Sequence, residues 1–427
     1  MPAISRLDAW PILDSRGRWT LAVEVQLTDG ARAQAQVPAG ASTGTHEAHA
    51  RPAADAVAHV RGEIAAAVQG RTAAGPEIDA ALCALDGTAH KSRLGANAIL
   101  GVSCAVARAL SISRGEPLWR TLRAEYSPSA PAAIPLPMVN ILSGGLHAGG
   151  QIELQDFLLL PLGAASFRAA LDMTLAVHDA ARREIKRRRY TLTGVADEGG
   201  WGPRLPSNEA ALDLLTVAIR SAGFTPGREA AIALDVAATH FFVQGAYHLR
   251  RERRALSAAE FIDLLAMWRE RYAILSIEDG LAEDDWEHWP GLTARLGSHT
   301  QLIGDDFFVT QEARLLRGVQ QRCANSVLVK MNQIGSLAET FAVVEQARRA
   351  GYTAVISARS GETEDSFLAD LAVAAGAGQI KIGSITRSER LAKYNRLLEL
   401  EHAGGLPFAG ATPYAAWLSS PPASGTS

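Results

Sequence analysis

Three short apolar runs between Ala273 and Ser336 each end abruptly in charge. The stretch AILSIEDGLAEDDW reaches Glu278 and Asp279, QLIGDDFFVT reaches Asp305 and Asp306, and NSVLVKMNQIGS reaches Lys330. Continuous apolar runs of this length, separated by helix-length spans, predict strands buried on both faces of a parallel sheet. The pattern extends both ways. AAIALDVA places Asp235 at the end of a run, YTAVISARSGETED passes into Arg359 and Ser360, and GQIKIGS carries Lys381. Taken in order, three acidic strand ends precede three basic ones. In a closed (β/α) barrel only the carboxyl edge is open, because side chains fill the interior. Wrapped around that edge, this order sets a carboxylate cluster opposite a cationic wall. Hard oxygen ligands so placed suit Mg²⁺, and the facing cations suit an anionic substrate.

The N-terminal pattern is different. From Ile4 to Val37 apolar and polar residues alternate (LAVEVQLTDGARAQAQV), which predicts antiparallel strands around a turn at Asp29-Gly30. PAGASTGTHEA follows, residues 38–48, small and flexible with hydroxyls at Ser42 and Thr43. It reads as a surface loop or as a lid that closes on a ligand. Helical stretches run on through Leu94–Ala109, and the proline- and alanine-rich segment from Tyr126 to Pro137 marks a domain boundary. The barrel is expected to begin near Leu136.

Composition narrows the chemistry. The 427 residues hold 45 acids against 42 bases, a formal net charge of −3, which argues against nucleic acid as a main partner. The cluster Arg182-Arg183 and Arg187-Arg188-Arg189 reads as a solvated helix end. Only five of the 42 bases are lysines (Lys91, Lys186, Lys330, Lys381 and Lys393). Two of those five stand at barrel strand ends, where a lysine can be tuned into a base and an arginine cannot. Cys83, Cys104 and Cys323 show no metal spacing and suggest a reducing compartment. No signal peptide opens the chain and no apolar run approaches membrane-spanning length, so a cytoplasmic protein without membrane partners is expected.

Two further stretches carry candidate chemistry. VNILSGGLHAGGQIELQDFLLLP holds His147 between glycines and the pair Gln155-Asp156, and GVADEGGWGPRL places Glu198 before two glycines. Alone, His147 reads as structural and Glu198 as part of a turn. Together with PAGASTG, LGANAILGVS, IED, GDD, KMNQIGS, SGETED and GQIKIGS…RSERLAKYN, the DEGG motif makes a set that resembles the enolase family nearly end to end.

The resemblance implies an α/β fold, a (β/α)8 barrel of enolase type with irregular first units and an N-terminal α+β capping domain. The expected division is 1–130 for the capping domain with its lid, 135–410 for the barrel, and 411–427 for a flexible tail. It implies two Mg²⁺ per site, one held by Asp235, Glu278 and Asp305 and the second by Ser42 with substrate phosphate. Lys330 is then the base that removes a proton alpha to a carboxylate, and Glu198 the general acid that lets a hydroxyl leave as water. Lys381 pairs with the substrate carboxylate, Arg359 and Ser360 grip its phosphoryl group, and His147, Gln155 and Asp156 line the same pocket. The carboxylates Glu278 and Asp305 would border the substrate as well as the metal. A homodimer at least is implied.

Two departures concern the leaving-group side. Enolases carry glutamate where this chain has Asp156, and histidine where it has Ala358. Shortening a carboxylate by one methylene moves it by about 1.5 Å, enough to weaken a hydrogen bond, and losing an imidazole removes a donor and opens space. IEDG in place of IEDP, with Gly280 after Asp279, is milder. Three readings follow: an enolase interconverting 2-phosphoglycerate and phosphoenolpyruvate in glycolysis, a carboxyphosphonoenolpyruvate synthase of phosphonate antibiotic biosynthesis, or a non-catalytic enolase-like binding protein. The first two take a phosphorylated or phosphonylated three-carbon carboxylate. Against the third stands the full set of clustered acids and lysines, costly to keep without a ligand.

Overall fold

The computed structural model describes residues 1–40, 44–126 and 131–418. The alternating N-terminal segment forms an antiparallel meander of β1 (Ile4–Leu13), β2 (Trp19–Leu27) and β3 (Arg32–Gln36). One face of β2 and β3 is covered by the helix Ala96–Arg114. That helix corrects an expectation from the sequence. At 19 residues, with mean hydropathy 1.4 over 18 of them, it is long and apolar enough to cross a membrane, yet 78% of that stretch is buried inside the protein. A helix packed on every side is apolar all round and loses the amphipathic period of a surface helix.

The second layer is the barrel. Its strands are β4 (Leu136–Ser143), β5 (Asp156–Leu160), β8 (Ala231–Asp235), β12 (Ile274–Glu278), β13 (Gln301–Gly304), β14 (Ser326–Val329), β15 (Thr353–Ser357) and β16 (Gln379–Gly383), closed by pairing of β16 with β4. A short hairpin of β6 (Leu192–Val195) and β7 (Trp201–Pro203) hangs on β4, and β9 (Phe242–Val243), β10 (Ala246–Leu249) and β11 (Arg254–Leu256) form a small outer sheet. From β8 to β16 all neighbours are parallel, whereas β5 runs antiparallel to both β4 and β8. The β4–β5 link carries only a 3-10 turn, Leu146–Ala148. Without a crossover helix the chain turns back on itself.

The barrel interior below the site is a separate apolar cluster including Leu136, Met138, Leu158, Leu160, Ile303, Leu328 and Val355, sealed by Tyr414 and Trp417. The expectation of a flexible tail over 411–427 is therefore corrected for its first part. A 3-10 turn at Thr412–Tyr414 and a short helix at Ala415–Leu418 bury both rings under the barrel, and Trp417 Nε1 donates to the Gly297 carbonyl at 3.1 Å. Burying two large aromatics outweighs the turn-prone composition around them. Residues 419–427 lie outside the described residues.

The two layers meet at the helix Leu337–Arg349, which follows the strand end bearing Lys330. Its first free amides are taken by the N-terminal layer: Leu337 N–H donates to Ser103 Oγ at 3.2 Å and Ala338 N–H to Asp79 Oδ2 at 2.8 Å. Burial pushes the Asp79 carboxyl up from 3.8 to about 7, despite help from Ser103 and Ala338. The sign follows from linkage. The folded state holds this proton while the unfolded chain has lost it, so the contribution to stability is complete below pH 3.8 and is lost as pH rises toward 7. Asp79→Asn is expected to remove that loss, gaining on the wild type by about 3–4 kcal/mol between pH 4 and 8. Urea denaturation of both proteins across that range checks it.

Candidate active site

The predicted strand ends converge on the open edge of the barrel. Asp235 closes β8 and Glu278 closes β12, opposite each other in register. Asp305 and Lys330 stand one residue beyond β13 and β14, Arg359 and Ser360 lie just past β15, and Lys381 lies within β16. All six charged side chains are largely buried.

The cations are held by the anions. Lys381 Nζ lies 2.8 Å from Asp235 Oδ2 and 2.8 and 2.7 Å from the two Glu278 oxygens. Lys330 Nζ pairs with Asp305 Oδ2, whose Oδ1 accepts from Gln333 Nε2 at 3.0 Å. Burial lowers the pKa of each lysine, but the facing carboxylates, Asp305 for Lys330 and Asp235 for Lys381, outweigh it and hold both above the ordinary value. Glu278 is pushed well up by burial and by the charge of Asp235, and Asp306 is raised to about 7 by burial and by Asp305.

Too many carboxylates crowd this edge for two lysines and an arginine to neutralise. The oxygens of Asp235 and Glu278 already aim at one ammonium, which stands where a cation would be held. This all-oxygen donor set fits a hard divalent ion. The expected ligand trio does not gather around a single point, however. Among the described residues, the groups whose ligand atoms lie within 4.8 Å of one another are Asp279–Asp305–Asp306 and His147–Asp156–Glu198. Lys381 sits between Asp235 and Glu278, and Lys330 is paired with Asp305. Ser42 lies outside the described residues.

On the opposite side, His147 rises from the 3-10 turn and its Nδ1 lies 2.9 Å from Asp156 Oδ2. Asp156 Oδ1 accepts from Asn140 Nδ2 and from Ser143 Oγ, the latter at 2.9 Å. Asp156 was expected to line the pocket, as was Glu278. Neither does. The short Asp156 side chain is fully buried behind His147 and positions it, and both Glu278 oxygens are taken up by Lys381.

Glu198 does face the cavity, 3.9 Å from His147 Nε2. Its turn is fastened to the segment after β16: Ser384 N–H donates to the Glu198 carbonyl at 2.8 Å and Thr386 Oγ1 to that of Gly199 at 2.8 Å. The two glycines serve close approach. A Cβ at Gly199, whose φ is +88°, would lie 2.5 Å from Thr386 Oγ1, and one at Gly200 would lie 2.5 Å from Asn140 Oδ1. The charges around this pair set where its proton is held. Burial raises the Glu198 pKa, but His147, Arg390, Lys381 and Lys330 outweigh it and hold it below the ordinary value. Burial lowers that of His147, yet Asp156 and Glu198 carry it to about 9. Near neutral pH the acid of this pair is therefore His147, with Glu198 ionised beside it. Asp156→Asn is expected to drop the His147 titration by at least one unit, because the charge that holds the imidazolium goes while the burial stays. Titration of the histidine ring by NMR checks this.

Several site residues were not anticipated. Glu47, at the end of the expected lid, forms a bidentate pair with Arg359, with Oε2 to Nη1 at 3.0 Å and Oε1 to Nη2 at 3.1 Å, and accepts from Gly44 N–H at 3.0 Å. The expected phosphoryl grip is thus pre-oriented by a carboxylate. Asp279 accepts the backbone N–H of Asp305 at 2.9 Å and of Asp306 at 2.8 Å, fixing the turn that presents them. Gln155 lines the cavity and donates to Asp235 Oδ2 at 3.1 Å. Ser360 and Ala358 also line it. With the lysines folded onto the acids the free space is about 30 Å³.

Two family models match the chain. One described as "Enolase, N-terminal domain" covers residues 4–122, and one described as "Enolase, C-terminal TIM barrel domain" covers residues 131–414.

Proposed function

Because the chain belongs to the enolase family, a family of lyases, we propose that it interconverts 2-phosphoglycerate and phosphoenolpyruvate as an Mg²⁺-dependent enolase-type lyase. One observation carries this reading: carboxylate oxygens of Asp235 and Glu278 share a single positive charge at 2.7–2.8 Å, with Lys330 and Arg359 across the same edge. Asp235, Glu278 and Asp305 would hold Mg²⁺, which supplies positive charge to stabilise the doubly ionised carboxylate of the enolic form.

The remaining work falls to the chain's own side chains. Lys330 Nζ takes the proton from the carbon alpha to the carboxylate. Lys381 exchanges its acidic partners for the substrate carboxylate. Arg359, squared up by Glu47, presents a fork to the phosphoryl group beside Ser360. The departing hydroxyl takes its proton from the His147–Glu198 pair, which Asp156 keeps charged. The test is ³¹P NMR of the purified protein with Mg²⁺ and 2-phosphoglycerate. Phosphoenolpyruvate should accumulate to equilibrium.

Ala358 favours a second reading. It leaves a bare wall position where the family resemblance puts an imidazole, and this suits a paralogue that keeps the enolate half of the reaction for a larger phosphorus-bearing acid, such as a carboxyphosphonoenolpyruvate synthase. Exchange of the substrate's alpha proton without phosphoenolpyruvate formation would support it.

A further inference from the structure

His240 stands on the wall of the same cavity as His147, Asp235 and Asp305, and its place is rigidly set. The chain leaves β8 through Ala237 at φ +47°, and Ala238 N–H donates to the Asp279 carbonyl at 3.2 Å. Thr239 Oγ1 accepts the Glu283 N–H at 2.9 Å. On the far side Phe241 is buried edge-on against Tyr247 and Phe261, with ring centroids at 6.1 and 5.7 Å. These anchors fix the backbone on both sides of His240 at the cavity wall.

Its Nδ1 is buried and has no hydrogen-bond partner among the described residues. A polar atom left so costs free energy, and in a cleft its natural partner is a ligand. A metal ion does not fit the geometry, because His240 belongs to neither group of ligand atoms close enough to share an ion. Burial keeps the ring's pKa below its ordinary value even with Asp235 nearby, so it offers one donor and one acceptor. The charges facing it are those of Asp235, Glu283 and Asp305, with His147 opposing. A neutral ring with one donor and one acceptor calls for a neutral polar partner. A hydroxyl, which donates and accepts, suits it.

We propose that His240 is a substrate-contacting, specificity-determining residue whose Nδ1 hydrogen-bonds the hydroxyl of the bound phosphorylated acid. This rests on the proposed function. It adds a recognition of the hydroxyl separate from the acid pair that expels it.

The probes are 2-phosphoglycerate and 2-phospholactate, the same acid without the C3 hydroxyl, each titrated calorimetrically into wild type, His240→Ala and His240→Asn with Mg²⁺ present. The alanine variant should bind 2-phosphoglycerate roughly tenfold or more weakly and 2-phospholactate as wild type does, since the lost bond is to the hydroxyl alone. Asparagine, whose amide reaches toward the Nδ1 position, should recover most of the difference. Thermal melts should leave Tm unchanged in both variants. If alanine weakens both acids equally, weakens Mg²⁺ binding without substrate, or changes nothing, the proposal is wrong while the proposed function stands. If wild type binds neither acid and forms no phosphoenolpyruvate, the proposed function falls and this proposal with it.

Discussion

Exchange of the substrate's alpha proton with solvent should fall by about 10²–10⁴-fold when Lys330 is replaced by arginine, the range a positioned general base contributes. The substitution keeps a positive charge beside Asp305 but removes a group able to accept a proton near neutral pH. Burial and Arg359 push the Lys330 ammonium toward losing its proton, while Asp305 pulls the other way, so its basicity depends on how that carboxylate is engaged. Lys330→Met serves as a second variant that avoids crowding a buried site with a larger group. Both should retain wild-type Tm to within a few degrees. An arginine protein that exchanges at the wild-type rate would make Lys330 an electrostatic partner only.

Removal of divalent cations should abolish turnover, and Asp305→Asn should raise the Mg²⁺ requirement tenfold or more. Even outer partners of a metal site are commonly worth about 10–100-fold in affinity. Asp305 does more than offer an oxygen. It is the point at which Lys330, Gln333 and the Asp279 turn meet, so its neutral isostere should also loosen the base. Calorimetric titration of Mg²⁺ into substrate-free protein separates the two effects, because only the first changes the binding constant. Full turnover in excess chelator would eliminate the metal from the account.

The strand ends were legible because a parallel strand buried on both faces is written as an unbroken apolar run, and its exit to solvent as sudden charge. That holds for Asp235, Glu278, Asp305 and Lys330, and for the antiparallel alternation of the N-terminal sheet. Other features depend on partners distant in sequence. Glu47 matters through Arg359, and Asp79 through the amide of Ala338. His240 sits in an ordinary-looking ATHFF stretch, and only the packing of Phe241 turns it into the cavity. Asp156 was placed at the pocket by the family resemblance, which does not tell that its shorter side chain stands behind His147. The protonation of this residue's partner His147 and of Glu198 likewise follows from charges distant in sequence, Asp156 and Glu198 around His147 and His147, Arg390, Lys381 and Lys330 around Glu198, which no local pattern reports. The C-terminal aromatics were missed because small and turn-prone residues surround them.

On the proposed function, this barrel edge ionises the carbon alpha to a carboxylate. The most direct test is to incubate the wild-type protein in D₂O with Mg²⁺ and 2-phosphoglycerate and to follow the alpha proton by ¹H NMR. Its signal should be lost to deuterium at least as fast as phosphoenolpyruvate forms. An alpha proton that stays in place throughout, with the protein folded and Mg²⁺ in excess, would contradict it.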